Sequence, residues 1–207
     1  MFSLILLAGL LLVAPQQAFI TCTNMASTQT QPMQGPAGVT AVLEVSTEDD
    51  YGRNTHLCQA DYQLVITNGS GSDPLVQTVI TSDGVWDRRM SVRLSGFSRD
   101  GKHIFGMLSE KSRSAALDIV FDYDTANNKM HVVEPARLIA GRVPPGCVAR
   151  TEVAGTTEGD DIVLQIAFTG NCAPAGRWRL NSDSGRMQRL ANTDAVVDLF
   201  NGTGNAR

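Results

Sequence analysis

Four cysteines, Cys22, Cys58, Cys147 and Cys172, and two knots of acids, Glu48-Asp49-Asp50 and Glu158 with Asp160-Asp161, have the most chemistry to offer in this sequence. A glycoside hydrolase needs two carboxyl groups about 5–10 Å apart, one to protonate the leaving oxygen and one to act as base or nucleophile. Acid runs beside glycine are more often solvated turns, and that is the preferred reading of both knots. The three histidines, His56, His103 and His131, are scattered and no C-x-x-C spacing occurs, so a zinc tetrad is not expected. No serine sits in a G-x-S-x-G elbow, and no G-x-G-x-x-G or G-x-x-x-x-G-K-[ST] phosphate loop is present. Asp122 and Asp124 with Asn127 and Asn128 offer oxygens to calcium, but an EF-hand loop closes on a glutamate at its twelfth position, where Val133 stands. A turn is therefore expected there, and neither a metal nor a cofactor.

Seven basic residues, Arg88, Arg89, Arg93, Arg99, Lys102, Lys111 and Arg113, are interleaved with Asp87, Asp100 and Glu110. They offer a patch for an acidic partner or, more simply, the water-facing alternate positions of strands. With 17 Lys+Arg against 21 Asp+Glu the net charge is -4, so a nucleic-acid-coating or anionic-membrane role has no electrostatic footprint. Asn68-Gly69-Ser70 and Asn201-Gly202-Thr203 match the glycosylation sequon and otherwise read as turn and tail.

The cysteines take their meaning from the start of the chain. An apolar run of eleven residues, 4–14, meets Pro15; it fits the hydrophobic region of a signal peptide and falls short of the roughly 20 residues that span a bilayer. Residues 1–18 are read as a signal peptide, and the chain as periplasmic or secreted, with no stable membrane span after removal. In an oxidising compartment an even cysteine count implies disulfides. Of three connectivities, 147–172 with 22–58 is preferred, because the later pair brackets two strands and the earlier pair would pin a polar leader to the domain.

Residues 19–38 are rich in Thr, Gln, Ser, Pro and Gly and read as a polar linker, with folding from 39 to 207. Beyond it lie eleven short β-rich runs, at 39–47, 62–67, 75–81, 90–97, 103–108, 116–123, 130–133, 147–153, 162–168, 177–181 and 187–190. Turn chemistry separates them, as at Asp100-Gly101, Asn127-Asn128, Glu158-Gly159 and Ser184-Gly185. Helix is expected only at 193–200, where Thr193 caps and Gly202 stops, with a weaker candidate at 109–116.

The chain also repeats itself. Ser98-Arg99-Asp100-Gly101-Lys102-His103-Ile104-Phe105 falls on Thr156-Thr157-Glu158-Gly159-Asp160-Asp161-Ile162-Val163, and the stretch from Phe121 to Met130 falls on that from Trp178 to Met187. An earlier copy is placed at 42–80. These units resemble the blades of WD-type and TolB-type β-propellers through Ser98-Arg99-Asp100-Gly101-Lys102 and Tyr123-Asp124-Thr125-Ala126-Asn127-Asn128-Lys129, with Arg99 for the usual proline and Asn128 for the usual glycine. Ser82-Asp83-Gly84-Val85-Trp86 is faintly similar to the Asp-box turn of sialidase-type propellers, where the aspartate is structural. The runs and turns imply an all-β antiparallel meander, and the resemblance implies that it is built of about three propeller-like four-stranded units in an incomplete ring, a β-sandwich being the alternative. Rings close with about four to eight blades, so two chains could complete one as a homodimer.

The expected function is that of an exported, non-catalytic β-repeat domain that binds a protein or cell-envelope ligand. The competing expectation is a carboxylate-dependent hydrolase of envelope or extracellular glycans.

Overall fold

A computed structural model describes residues 17–21, 26–49, 57–68, 73–85, 89–111, 116–139, 149–159, 161–168 and 176–199. Strands arise where β-branched and aromatic residues alternate with polar ones. In β4 (Val39–Asp49), Ala41, Leu43, Val45 and Thr47 are buried, whereas the residues between them face outward. β4 pairs antiparallel with β5 (Leu57–Asn68), and β5 with β6 (Leu75–Val85). The next sheet is the meander β7 (Arg89–Phe97), β8 (His103–Lys111), β9 (Ala116–Asp124) and β10 (Lys129–Val133). The third is β11 (Ala149–Thr156), β12 (Ile162–Phe168), β13 (Gly176–Asn181) and β14 (Arg186–Arg189). One short helix, α1 (Pro135–Leu138), follows β10. The protein is thus an antiparallel all-β meander of three successive sheets, not closed into a barrel.

The three sheets stack face to face with the second in the middle. One of its faces, with Met90, Val92, Leu94, Ile104, Leu108, Ile119 and Phe121, shares a core with Leu43, Val45, Tyr62 and Leu64 of the first sheet. Its other face sends Phe105, Met107 and Val120 into a second core with Ile162, Leu164, Ile166, Trp178 and Leu180. Coverage on both sides explains why β8 is buried without a break from Ile104 to Leu108 instead of alternating. Polar ties join the layers as well. Tyr62 of the first sheet donates to Glu110 of the second, and Asp118 of the second accepts the backbone N–H of Thr151 in the third.

The second and third sheets repeat feature for feature. Gly96 (φ 151) and Gly155 (φ 158) each sit at a register shift between the first two strands of their unit. Asn128 (φ 53) and Gly185 (φ 63) hold the left-handed position of the turn before the last strand, so Asn128 does there what glycine does in the other copy.

The structure departs from the sequence reading in two places. Folding begins upstream of Val39. β2 (Ala26–Gln29) and β3 (Met33–Gln34) lie end to end along β4 and complete a fourth strand position for the first sheet, while β1 (Ala18–Thr21) adds to the β7 edge of the second. The stretch assigned to a linker is therefore partly strand. As an edge it can be polar, with buried Thr30 accepting the N–H of Leu43 through its hydroxyl and Met33 packing on the core. The helix expected at 193–200 is absent from 193–199. Asp194 closes a turn with Ala191, and β-branched Val197 then pairs with Thr156 at the edge of β11. The helix that does form, at Pro135, opens on proline at its first position and carries a Glu134–Arg137 ion pair. Of the 109–116 candidate, residues 109–111 and 116 are strand and 112–115 lie outside the described residues.

Candidate binding face

The register of the first sheet sets which side chains look away from the stack. Because Leu43, Val45, Tyr62 and Leu64 point into the core, Glu44, Ser46, Asp61 and Gln63 must point outward, with Gln29 opposite Glu44 and Ser27 opposite Ser46. A depression of about 320 Å³ lies on this side, lined by Ser27, Gln29, Glu44, Ser46, Asp61 and Gln63 among others. Asp61 accepts a 2.8 Å hydrogen bond from the Thr81 hydroxyl, which fixes its rotamer across β5 and β6. Beyond the depression Val42, Val65 and Val76 form one cross-strand row, and Val76 is 50% exposed. The face thus combines carboxylates, amides and hydroxyls with a small apolar strip, a composition suited to binding a polar surface. The alternation in Leu43-Glu44-Val45-Ser46 was the sequence signal for it, yet neither Glu44 nor Asp61 stood out as chemistry.

The groups that did stand out are committed elsewhere. Asp100 accepts from the Ser98 hydroxyl at 2.7 Å and the Lys102 N–H at 3.0 Å, and pairs with the Lys102 ammonium. The Ser98 and Lys102 side-chain bonds, in that order, hold its carboxyl well below the ordinary value of 3.8. Asp124, the centre of the calcium candidate, accepts the N–H groups of Ala126 and Asn127 and the Asn127 amide, and that side-chain amide chiefly lowers its pKa. Its oxygens are spent on the turn. Asp122 is buried and holds His103 Nδ1 at 2.9 Å while the imidazole stacks on Phe105. Asp161 takes the Asn181 amide at 2.7 Å and faces Arg179. Glu48 and Glu158 are exposed and far apart in the fold, on β4 and on the β11–β12 turn.

The seven basic residues do not make one patch. Arg89 and Lys111 are opposed at one end of the β7–β8 hairpin, Arg99 and Lys102 lie at its other end, and Arg93 contacts the Met107 sulfur. Arg88 and Arg113 lie outside the described residues, as do His56, Asp50, Asp160, Cys22, Cys147, Cys172 and residues 1–16 of the signal segment. Cys58 stands in β5 opposite Asp49 and Gly84, and the disulfide expectations fall with the other cysteines outside the described residues. Among the described residues no cluster of three or more His, Cys, Asp or Glu side chains is arranged to hold a metal, and no helix is long and apolar enough to cross a membrane.

Set against protein-family models, curated proteins and solved structures, the chain has no significant match in any of the three comparisons.

Proposed function

We propose that this protein is an exported, non-catalytic β-repeat module that binds a protein or cell-envelope ligand, and that the outer face of its first sheet is the binding surface. The observation that carries this reading is the depression lined by Glu44, Asp61, Gln63 and Gln29, whose hydrogen-bonding groups stand on rigid paired strands. The commitment of Asp100, Asp124, Asp122 and Asp161 to local partners supports the non-catalytic part. The direct test is retention of the purified protein on isolated envelope fractions and in cross-linking to envelope proteins. The triple variant Glu44→Ala, Asp61→Ala, Gln63→Ala should lose at least about tenfold in retention, as expected for a few central contacts. Undiminished retention would overturn the assignment of this face.

A hydrolase of glycans is the second reading, favoured by one specific feature, the presence of Glu44 and Asp61 in the same depression on neighbouring strands. Release of reducing ends from envelope glycans, abolished in both Glu44→Gln and Asp61→Asn, would establish it in place of the first.

A further inference from the structure

An open sheet ends in a strand whose outward N–H and C=O groups have no ladder to join, and most such ends here are protected. β10 and β14 are five and four residues long and carry Lys129, or Arg186 and Arg189. β1 has four residues, and the edge made by β2 and β3 is interrupted at Pro32. β11 holds Arg150 and Glu152 and is bridged at Thr156 by Val197. β6 differs from all of these. It is eleven residues long, pairs among the described residues with β5 on one side alone, and from Leu75 to Ser82 reads LVQTVITS, without charge, proline or glycine.

Apolar surface stops abruptly at this edge. Leu75 and Val76 are consecutive, so they lie on opposite sides of the sheet, and both are exposed, at 43% and 50%. On the outer side the row Val42, Val65, Val76 ends at β6. On the inner side β10 packs beside β6, and its exposed Val132 stands opposite Phe121, on the side that faces the first sheet. The charges nearby are of one sign. Within one strand of Leu75–Thr81 the described charged side chains are Asp73, exposed just before β6, and Asp61, bonded to Thr81. Lys129 and His131 of β10 alternate with Met130, which packs on the first core, so they point the other way, where His131 meets Asp183. The edge therefore has an uncharged middle and an acid at each end. A second copy of β6 laid antiparallel along it would set Asp73 of each chain near Asp61 of the other, like charge against like. A foreign strand with basic ends has the complementary pattern.

We propose that β6 receives an extended segment of a partner protein as a further strand of the first sheet, with β-branched residues in its middle and Lys or Arg at its ends. The proposal rests on the reading of the first sheet as the binding surface and names the partner as a polypeptide. Main-chain bonds along the edge supply affinity, and side chains beside Leu75 and Val76 supply selection. The register shift at Val79 adds twist, so the strand that fits is short, about seven residues.

The test is amide hydrogen exchange by NMR on the full exported, oxidised chain, with the synthetic peptide Lys-Val-Thr-Val-Thr-Val-Thr-Val-Lys as probe. Saturating peptide should slow the outward amides of Leu75–Thr81 about tenfold or more, while those of β4, already paired on both sides, stay unchanged. The fully N-methylated peptide, which has no donors, should bind at least about tenfold more weakly, and a peptide with Glu at both ends should also be weaker at low salt. Val76→Lys with Thr78→Lys should cut affinity about tenfold with unchanged circular dichroism. Absence of protection at about 1 mM peptide, equal binding of the methylated or the Glu-ended peptide, or β6 amides already protected by dimerisation of the free chain would each overturn the proposal. The two readings of the first sheet fail separately. Envelope retention lost in the triple variant at Glu44, Asp61 and Gln63, with β6 left unprotected by peptide, keeps the face and removes the added strand. Protection of β6 with retention unchanged in the triple variant does the reverse.

Discussion

Tyr62 in β5 donates its phenolic hydrogen to Glu110 in β8 across 2.9 Å, and both residues are buried, at 1% and 4% exposure. The bond crosses from the first sheet to the second beside the apolar core that Leu43, Val45, Met90 and Val92 share. Removing one partner of a buried polar pair costs about 1–3 kcal/mol, because the other is left poorly satisfied. Tyr62→Phe should therefore lower unfolding free energy by about that amount in urea. A change below about 0.5 kcal/mol would show that the bond adds nothing net.

The central sheet leaves no room at Gly106. A methyl group there would meet the Phe121 ring, and the Arg93 carbonyl stands 3.0 Å away. Gly106→Ala should cost about 1–3 kcal/mol from overpacking, with an upward shift in the unfolding rate. An unchanged denaturation midpoint would mean that the ring moves aside freely.

Asn128 takes a left-handed conformation in place of the glycine found at Gly185, and its side-chain oxygen accepts the Tyr123 hydroxyl at 2.6 Å. Asn128→Ala loses the bond and keeps the strain, about 1–2 kcal/mol in all. Asn128→Gly relieves the strain and loses only the bond, so it should be the milder change. Thermal melts of the two variants decide the order, and alanine melting higher than glycine would refute this account of the turn.

Acid should weaken the protein through its turns. The carboxyls of Asp100 and Asp124 are held below their ordinary value of 3.8 in the folded chain, by Ser98 and by Asn127 first of all. A depressed folded value means that the stabilisation is fully present above the unfolded value and is lost as pH falls below it toward the folded one. Between pH 5 and 2 the stability of the Asp100→Asn variant should thus fall less steeply than that of wild type, while near neutral pH the variant is the less stable. Asp100 is exposed and Asp124 half-buried, so solvent screens both and the effect is small; parallel pH profiles would refute it.

The eleven strands read from β-branched runs all lie within observed strands or overlap them, because the outer strands carry the alternation that one buried face imposes and those covered on both sides, such as β8, read as continuous apolar runs. The turns were legible for a related reason, since Gly101, Asn128 and Gly185 occupy positions that few residues tolerate. The polar edge was not legible. β2 and β3 bury little, and Thr, Gln and Ser there look the same in a linker as in an edge strand. The outer face of the first sheet was written in the sequence as Leu43-Glu44-Val45-Ser46, but only the pairing register shows that Gln29, Glu44 and Asp61 gather on one side of it.

β1 has a further consequence for how the molecule is assembled. Its partner β7 lies about seventy positions downstream, with Phe19 opposite Ser91 and Thr21 opposite Arg89. Such a closure cannot occur until the second sheet has been made, and it carries the entropy of drawing a long intervening segment together. The first of the described strands is accordingly late to dock, a latch that engages only once β7 is in place.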